Sequence, residues 1–574
     1  MERRSSAAWD QGGAHDRARG FREATPGCGA VMNVRPSCGV TVDDRVTETL
    51  DVIVVGGGLA GSVSALAVGE AGYSVGVIEC GRSRLQEPEP GPTMRRKLIA
   101  RLIGHPLPRV GRWPVPLMRE TGRGRSATPM AAVLGIGPGG SSTVYGAALS
   151  RYRRSDFAPL RPPGALPREW PFEYDEFRPF YARMEKMLRI AGTPDPLDAD
   201  DDAMLRSPPP LGPRDTALVR AMREAGLHPY RLHVGIDYLP GCSECLGDAC
   251  PRACKADGYN RALQKAETCG ALVYPEETVV RLEPVPDGVL VISREGGPGA
   301  ADGADRVRLA RTVVLAAGAL NTPLILARSS GLWRDGFPPP MLGRGLMFHV
   351  TDILGLRVPH QVPNYGPQKT LAIRDLCEGG EVQSMAMRVG AAPIASFLRG
   401  EAERLGFGWL GVGLEALRVP AAIAARYLGA AATFATVQED YAYPGNRVWE
   451  DSSHPERIRF RYDVSAELRE RSERSRRVIR ERLHRLRPFF LSQLATPNWG
   501  HPMGTCRMGV DPAESVTDSQ GRVWGLSNVV VADAATLPSS GSTNPALTVA
   551  ANALRIAEAL VGRMNDEARP HRVG

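Results

Sequence analysis

Residues 51–61 read DVIVVGGGLAG, and a second apolar run over residues 74–78 ends at Glu79. The run from Val52 to Val55 predicts a buried parallel strand, because consecutive β-branched residues suit a sheet covered on both faces. Residues 59–72 predict a helix rich in small residues that packs closely on this strand, and residues 74–78 predict the next strand. The stretch therefore predicts a βαβ unit that binds a dinucleotide.

The three glycines of this G-x-G-x-x-G pattern have separate roles in such a unit. Gly56 makes the tight turn, Gly58 lets a pyrophosphate approach the backbone, and Gly61 lets helix and strand touch. The free N–H groups and the positive dipole end of the helix face the phosphates. Glu79 lies where a carboxylate accepts both ribose hydroxyls of an adenosine. A lone glycine pattern also fits an ordinary turn, but the flanking strand, helix and acid all agree on a nucleotide site.

Length and composition are those of a globular protein with two interleaved or consecutive domains. The chain has 574 residues, more than a single hydrophobic core usually supports. Its net charge is +8, but only five of the 71 basic residues are Lys, and the 63 acids are interspersed among them. This pattern is typical of a solvated surface, so no nucleic-acid partner is expected. No stretch predicts a membrane span.

The first 47 residues are polar and have no apolar run behind Arg3 and Arg4. They predict a disordered extension rather than a secretory signal. Ten cysteines in so long a chain do not require an oxidising compartment. Together these features predict a cytoplasmic location.

Two further segments predict strands of the same α/β domain. Residues 311–323 run from an apolar strand into a helix from Pro323 to Ser329, and residues 528–535 form an apolar strand that ends in an acid. Between them lie Pro-rich loops, strand-like runs such as residues 433–438, and an Arg- and Glu-rich exposed helix predicted over residues 466–487. The predicted boundaries are 48–154, 232–350 and 488–565 for a discontinuous α/β domain, 155–231 and 351–487 for an inserted α+β domain, and 566–574 for a tail.

Four separated blocks, residues 56–79, 139–146, 313–329 and 501–548, resemble the glucose-methanol-choline (GMC) oxidoreductase family. They occur in the family's order and span nearly the whole chain. The resemblance implies a Rossmann-like FAD-binding domain with an inserted substrate-binding domain built on an antiparallel sheet. It also implies oxidation of an alcohol carbon by hydride transfer to bound FAD.

The second block reads GGSSTVYG and suits a loop that passes close to a flat ring system and offers hydrogen-bond donors to it. An ordinary turn is the other interpretation. The candidate cofactor-binding residues of this block are Gly139, Gly140, Ser141 and Ser142. Val144 stands where certain relatives carry a histidine joined covalently to flavin, so the resemblance implies noncovalent FAD. Tyr145 replaces the Asn of many relatives, which leaves its role open.

The C-terminal block supplies the candidate catalytic residues. A neutral imidazole suits the removal of a hydroxyl proton, and the resemblance gives this role to His501. Asn544 matches a position where relatives carry a second His or an Asn, and it would hydrogen-bond the substrate oxygen. With Pro545 it also predicts the start of a helix over residues 546–560, whose dipole could stabilise negative charge on the cofactor. Asp533 and Asn544 complete the set of expected FAD-binding residues.

One loop carries four cysteines, Cys242, Cys245, Cys250 and Cys254. Four sulfurs can hold zinc or an iron–sulfur cluster, and some dehydrogenases of the family carry such a centre in a comparable stretch. Many relatives have a similar loop without metal, and the spacing fits no standard pattern. Free thiols are therefore preferred over a bound metal, and a disulfide ranks last.

The leading hypothesis is FAD-dependent oxidation of a CH–OH group in an alcohol, polyol, sugar or amino sugar, with oxygen or another molecule as electron acceptor. One alternative is a metal-bearing dehydrogenase subunit that passes electrons through the cysteine loop. Another is a flavin-binding protein without turnover, against which the intact His501 and Asn544 argue. An NAD-dependent dehydrogenase is disfavoured because it gives no role to Asp533 and Asn544.

Overall fold

The computed structural model describes most of the chain. The described residues are 45–83, 113–115, 117–120, 127–130, 133–198, 202–300, 302–333, 336–358, 366–385, 431–451, 453–454 and 457–568. The first strand begins at Val46, just inside the extension predicted to end at residue 47, and the rest of that extension lies outside the described residues.

The chain begins with a strand–helix–strand unit and continues with runs of consecutive strands and of consecutive helices, as expected for an α/β domain interrupted by an insertion. The helices are α1 Leu59–Glu70, α2 Arg154–Phe157, α3 Tyr174–Met187, α4 Pro213–Glu224, α5 Gln264–Thr268, α6 Thr322–Arg328, α7 Ala466–Arg482 and α8 Ala546–Ala568. The strands are β1 Val46–Val55, β2 Val75–Glu79, β3 Leu117–Glu120, β4 Ala127–Met130, β5 Tyr230–Arg231, β6 Leu272–Pro275, β7 Glu277–Val285, β8 Gly288–Glu295, β9 Asp305–Leu315, β10 Val350–Thr351, β11 Ile353–Leu356, β12 Leu371–Ile373, β13 Gly380–Ser384, β14 Ala432–Gln438, β15 Arg447–Glu450, β16 Ile458–Arg461, β17 Phe489–Phe490, β18 Thr496–Pro497 and β19 Val529–Val531.

The first sheet has the strand order β6-β2-β1-β9-β8-β7, and β19 pairs with β9. Strands β2, β1, β9 and β19 are parallel, whereas β7 and β8 are antiparallel. The side chains of Val52, Ile53 and Val54 are fully buried, as a parallel strand covered on both faces requires. The three widely separated segments predicted to share one α/β domain therefore lie side by side, and the predicted Rossmann-like fold class is confirmed.

The carboxyl ends of the parallel strands meet at one edge of this sheet. Val55 pairs with Leu315, and Leu315 pairs with Val531. The residues that follow these strands, among them Gly56 and Asp533, are consequently neighbours. This edge is where open α/β sheets bind their ligands.

The second sheet has the order β17-β11-β14-β13-β12-β5, with β10 and β18 attached to it. All of its pairings are antiparallel. Ile479 of α7 packs with Leu354 and Phe434 of the sheet in one buried cluster. This is the antiparallel sheet expected for the inserted domain.

Helix α7 departs from the exposed helix predicted over residues 466–487. It ends at Arg482, and the side chains of Arg471 and Arg476 are buried. Arg476 donates from Nε to Asp352 over 2.8 Å, and Arg471 donates from Nε to Glu467 over 2.9 Å. The charged periodicity was correct, but ion pairing lets two of the arginines face the protein interior rather than water.

A smaller sheet, in the order β15-β16-β3-β4, supports the region of His501. Phe460 of β16 packs edge-on against Trp499 at 5.8 Å between ring centroids, and Phe348 does so at 5.1 Å. In the part of the chain that the structure describes, no helix is both long and apolar enough to cross a bilayer.

Candidate active site

One cavity of about 570 Å³ joins the two groups of residues that the sequence singled out. Gly58 and Glu79 line one part of its wall, and His501 and Asn544 line another. A cavity of this size is typical of sites that bind cofactors and small ligands. Motifs more than 400 residues apart in the chain thus contribute to a single site.

The glycines of the first motif have the geometry that a dinucleotide needs. A Cβ added at Gly61 would lie 1.9 Å from the carbonyl oxygen of Gly56, so α1 can approach β1 only because this residue is glycine. A Cβ added at Gly58 would meet no atom within 4 Å, which leaves open space beside the start of α1. No side chain caps that helix end, so its first N–H groups remain available to an anion. These residues fit the pyrophosphate of a dinucleotide.

Glu79 has a structural role in addition to the one predicted. Its Oε2 accepts the N–H of Gly57 over 2.7 Å, and its Oε1 accepts the N–H groups of Gly81 and Gly137 over 2.8 and 2.9 Å. The carboxylate is 4% exposed, so one side chain ties three separate loops together in the interior. The thiol of Cys80 also donates to Oε1, over 3.5 Å, whereas Oε2 accepts only the N–H of Gly57 and so keeps a lone pair for a ribose hydroxyl.

The loop of the second motif lies directly against the first. The N–H of Gly139 donates to the carbonyl of Gly57 over 2.7 Å, and a Cβ at Gly140 would lie 2.9 Å from the Cα of Gly58. Ser142 Oγ donates to the carbonyl of Gly139 over 2.5 Å and accepts the N–H of Gly258 over 2.9 Å. The hydroxyl hydrogen of Ser142 is therefore used in a bond within the loop and is not the free donor that the sequence predicted.

Two other residues of this region, Ser141 and Tyr145, make contacts within the protein. Ser141 Oγ accepts the N–H of Gly135 over 3.1 Å. Tyr145 lines the cavity, but its hydroxyl donates to the carbonyl of Ala256 over 2.7 Å. Burial raises the pKa of Tyr145 far above its ordinary value, so this phenol is no base.

Asp533 lies at the cavity wall just after β19. Its Oδ2 accepts from the N–H of Gly318 over 2.7 Å and from the hydroxyl of Thr322 over 2.5 Å, and its Oδ1 accepts the N–H of Ala535 over 2.8 Å. Burial raises the pKa of this carboxyl group. Asp533 thus fixes the start of α6 beside the cavity.

The position of His501 is set by a pair of strand-like segments. Met347 and Met503 exchange backbone hydrogen bonds of 2.9 and 3.1 Å, and the N–H of Asn498 donates to the carbonyl of His349 over 2.8 Å. The intervening turn places His501 at the cavity wall, where the residue is half-buried.

His501 contacts a second histidine that fixes its tautomer. Nδ1 of His501 lies 3.1 Å from Nδ1 of His349, and Nε2 of His349 lies 3.1 Å from the carbonyl oxygen of Gly541. A carbonyl only accepts, so Nε2 of His349 carries the hydrogen and its Nδ1 is the acceptor. The hydrogen between the two rings then belongs to His501 Nδ1. Nε2 of His501 then carries an unprotonated lone pair, and its neighbour within hydrogen-bond distance is Nδ2 of Asn498 at 3.5 Å.

Both rings are neutral near physiological pH. His349 is fully buried, and burial lowers its pKa to about 4. Burial also lowers the pKa of His501 well below its ordinary value, and the neighbouring His349 and the charge of Lys369 lower it further. The neutral state is the one in which an imidazole can accept a proton.

Asn544 lines the same cavity as His501 and ties the start of α8 to the antiparallel sheet. Its Nδ2 donates to Oε1 of Gln383, a residue of β13, over 2.9 Å. Helix α8 begins two residues later, at Ala546. The second hydrogen of the amide and its Oδ1 remain for a ligand.

Comparison with known families agrees with this geometry. A family model described as GMC oxidoreductase matches residues 50–351 with its N-terminal part and residues 446–553 with its C-terminal part. The chain belongs to the GMC oxidoreductase family. GMC oxidoreductases use FAD, and the residues around Gly58 fit that cofactor.

This GMC oxidoreductase is similar to several named proteins. It is 28% identical to paromamine 6'-oxidase of Streptomyces fradiae, over 91% of this chain and 92% of the relative. It is 25% identical to the fructose dehydrogenase large subunit of Gluconobacter japonicus, over 90% and 98% of the two chains. Pyridoxine 4-oxidase from Mesorbium loti has the same fold, with a TM-score of 0.57 and 19% identity over 91% of this chain and all of its own.

The cysteine loop of this GMC oxidoreductase brings two of its sulfurs together. Sγ of Cys250 lies 3.2 Å from Sγ of Cys254, and Sγ of Cys242 accepts the N–H of Glu244 over 3.4 Å. Within the described ranges, no group of three or more His, Cys, Asp or Glu side chains is placed to hold a metal ion. The preference for free thiols in this loop stays a prediction.

Several residues of the site were not singled out by sequence motifs. They include Gln383 and Lys369, which line the cavity, and His349, which contacts His501. These side chains come from the antiparallel sheet or from the segments that enter it. Their role depends on contacts across the two sheets, which no local pattern in the sequence encodes.

Proposed function

We propose that this GMC oxidoreductase oxidises the CH–OH group of a small alcohol, polyol or sugar to a carbonyl, with His501 as the base. The hydrogen-bond chain from Gly541 through His349 to His501 carries this proposal. It supports an unprotonated Nε2 on His501 at the wall of the cavity. An alcohol releases hydride readily only when a positioned base takes its hydroxyl proton.

The chain's own residues divide the remaining tasks. His501 accepts the hydroxyl proton, and Asn544, held by Gln383, orients the substrate oxygen through the amide hydrogen that is still available. FAD, when bound, supplies the hydride acceptor. The apolar Val144 offers no side chain for a covalent link, so the cofactor is held noncovalently.

The test is the His501→Ala variant. Loss of a general base slows the step that reduces the cofactor by roughly 10²–10⁴-fold, whereas FAD content stays unchanged. Anaerobic rapid mixing with an alcohol substrate follows the loss of flavin absorbance and excludes effects on reoxidation. Asn498→Ala is a comparison variant: it removes an amide nitrogen that lies 3.4 Å from Nδ1 and 3.5 Å from Nε2 of His501 but keeps the imidazole, so its rate should fall far less. A His501→Ala variant that bleaches as fast as wild type would show that another group is the base.

A further inference from the structure

Lys369 places a buried ammonium in the wall of the cavity. The residue is only 7% exposed and lies two residues before β12. Among the described residues, no carboxylate, carbonyl or hydroxyl accepts a hydrogen bond from its Nζ. The ammonium nevertheless faces the cavity that contains His501 and Asn544, and its charge contributes to the low pKa of His501.

The protein holds this side chain in a defined place. Oε1 of Glu244 accepts the backbone N–H groups of Gln368 and Lys369 over 2.9 and 3.0 Å, and also the hydroxyl of Tyr238 over 2.8 Å. These bonds fix the backbone that carries the lysine. A Cβ added at Gly146 would lie 2.5 Å from Nζ, so glycine at this position makes room for the ammonium.

The charged groups that act on Lys369 are Glu244, whose bonds are given above, Lys255 and Glu381, and each has other hydrogen-bond partners. Lys255 donates to the carbonyls of Tyr145, Cys245 and Asp248 over 2.7 to 3.0 Å. Glu381 accepts from the hydroxyl of Tyr230 over 2.6 Å and from Arg374 over 3.3 Å.

The carboxylates that line the cavity in the described part of the chain are engaged as well. Glu79 accepts three backbone N–H groups, Asp533 accepts from Gly318, Thr322 and Ala535, and Glu277 pairs with Arg308 over 2.7 Å. Each of these carboxylates is thus held by donors of the protein, and the remaining acceptor site of Glu79 is the one assigned to a ribose hydroxyl. Of the two cationic side chains in the described walls, Arg328 donates to Glu450 over 3.1 Å, whereas the ammonium of Lys369 has no such acceptor.

A buried ammonium without an acceptor is costly, so its presence indicates that a ligand supplies the acceptor. We propose that the substrate is an alcohol that also carries a carboxylate or a comparable anionic group, which accepts a hydrogen bond from Lys369 while the hydroxyl faces His501. This inference rests on the proposed alcohol oxidation and names its substrate class. An amino sugar is disfavoured, because its ammonium would meet Lys369.

The test uses three alcohols of equal length that differ in one end group: hydroxyhexanoate, hexanediol and aminohexanol. With the FAD-loaded enzyme, kcat/KM should be highest for the carboxylate and lowest for the amine. Lys369→Met should lower the ratio of kcat/KM for hydroxyhexanoate to kcat/KM for hexanediol by roughly 10- to 100-fold, the value of a hydrogen bond to a charged group, because any effect of Lys369 on His501 is common to both substrates. Lys369→Arg should restore part of the preference, and Lys265→Met, which removes an exposed lysine, should change nothing.

A binding measurement separates failure of this inference from failure of the proposed function. Hexanoate, which carries no hydroxyl, should bind wild-type protein in calorimetric titration and should bind the Lys369→Met variant at least tenfold more weakly. If hexanoate binds in this way but none of the alcohols is oxidised, the anion site stands and the proposed oxidation is wrong. If the alcohols are oxidised without preference for the carboxylate, or if Lys369→Met binds hexanoate as wild type does, the inference is overturned.

Discussion

Replacing His349 tests the tautomer argument directly, because this residue touches the base without facing the substrate. His349→Leu has a similar volume but no acceptor, so the hydrogen on His501 Nδ1 loses the partner that it has at 3.1 Å. An unsatisfied buried donor costs about 1–3 kcal/mol, and this free energy favours the tautomer with hydrogen on Nε2. If the whole cost falls on the reactive tautomer, flavin reduction slows by about 5- to 150-fold.

The expected loss is smaller than that of His501→Ala, because the imidazole itself remains. His349→Asn is the matched control, since its amide oxygen can accept from His501 Nδ1 at the position that the ring nitrogen held. It should therefore keep most of the rate that His349→Leu loses. The assay is anaerobic rapid mixing at saturating alcohol, with FAD content measured for each variant.

The pH dependence adds a second readout. The pKa of His501 is lowered first by burial, then by His349 and then by Lys369. Because protonated His501 cannot act as a base, the rate falls when the pH drops through this pKa. Removing His349 takes away one cause of the depression, so the acid limb of the profile should move to higher pH. A His349→Leu variant with the wild-type rate and profile would refute the reasoning.

Three further predictions follow from the same contacts. Glu79→Gln should weaken FAD retention and broaden thermal unfolding, because an amide cannot accept the three N–H groups of Gly57, Gly81 and Gly137. Ultrafiltration followed by absorbance of the retained FAD measures the retention, and undiminished retention would contradict this expectation. Lys369→Met should raise the melting temperature of ligand-free protein near neutral pH. Burial lowers the pKa of Lys369 to about 8, so below that pH the wild-type chain keeps a costly buried charge. A lower melting temperature of the variant would speak against an ammonium that lacks a hydrogen-bond acceptor. Chelators should leave flavin reduction intact if the cysteine loop holds free thiols, and stoichiometric iron or zinc in metal analysis would reverse this expectation.

Local patterns in the sequence were sufficient to predict the fold of the nucleotide-binding half of the molecule. The apolar run from Val52 to Val55 and the glycines after it determine strand, turn and helix within a few residues of one another. The position of His501 followed from a motif, but its tautomer did not, because that depends on His349, which lies 152 residues away. Lys369 could not be predicted for the same reason, because a single lysine can be recognised as part of a site only from the cavity around it.

The burial of Arg476 could not be predicted from the spacing of charged and apolar residues in its helix either. A sequence of alternating Arg and Glu favours an exposed helix, and only Asp352 on the neighbouring sheet explains why this guanidinium turns inward. Long-range ion pairs of this kind have no signature in a single sequence. The fold class was therefore predictable, whereas the contacts between the two sheets were not.

The charge on Lys369 makes the strength of the base depend on what occupies the cavity. While the site lacks an anion, this charge helps to hold His501 at a low proton affinity. A ligand carboxylate that neutralises Lys369 removes that influence, so His501 becomes a stronger proton acceptor as the complex forms. Binding of an anionic substrate would then also raise the proton affinity of His501. An uncharged alcohol in the same cavity would meet a weaker base.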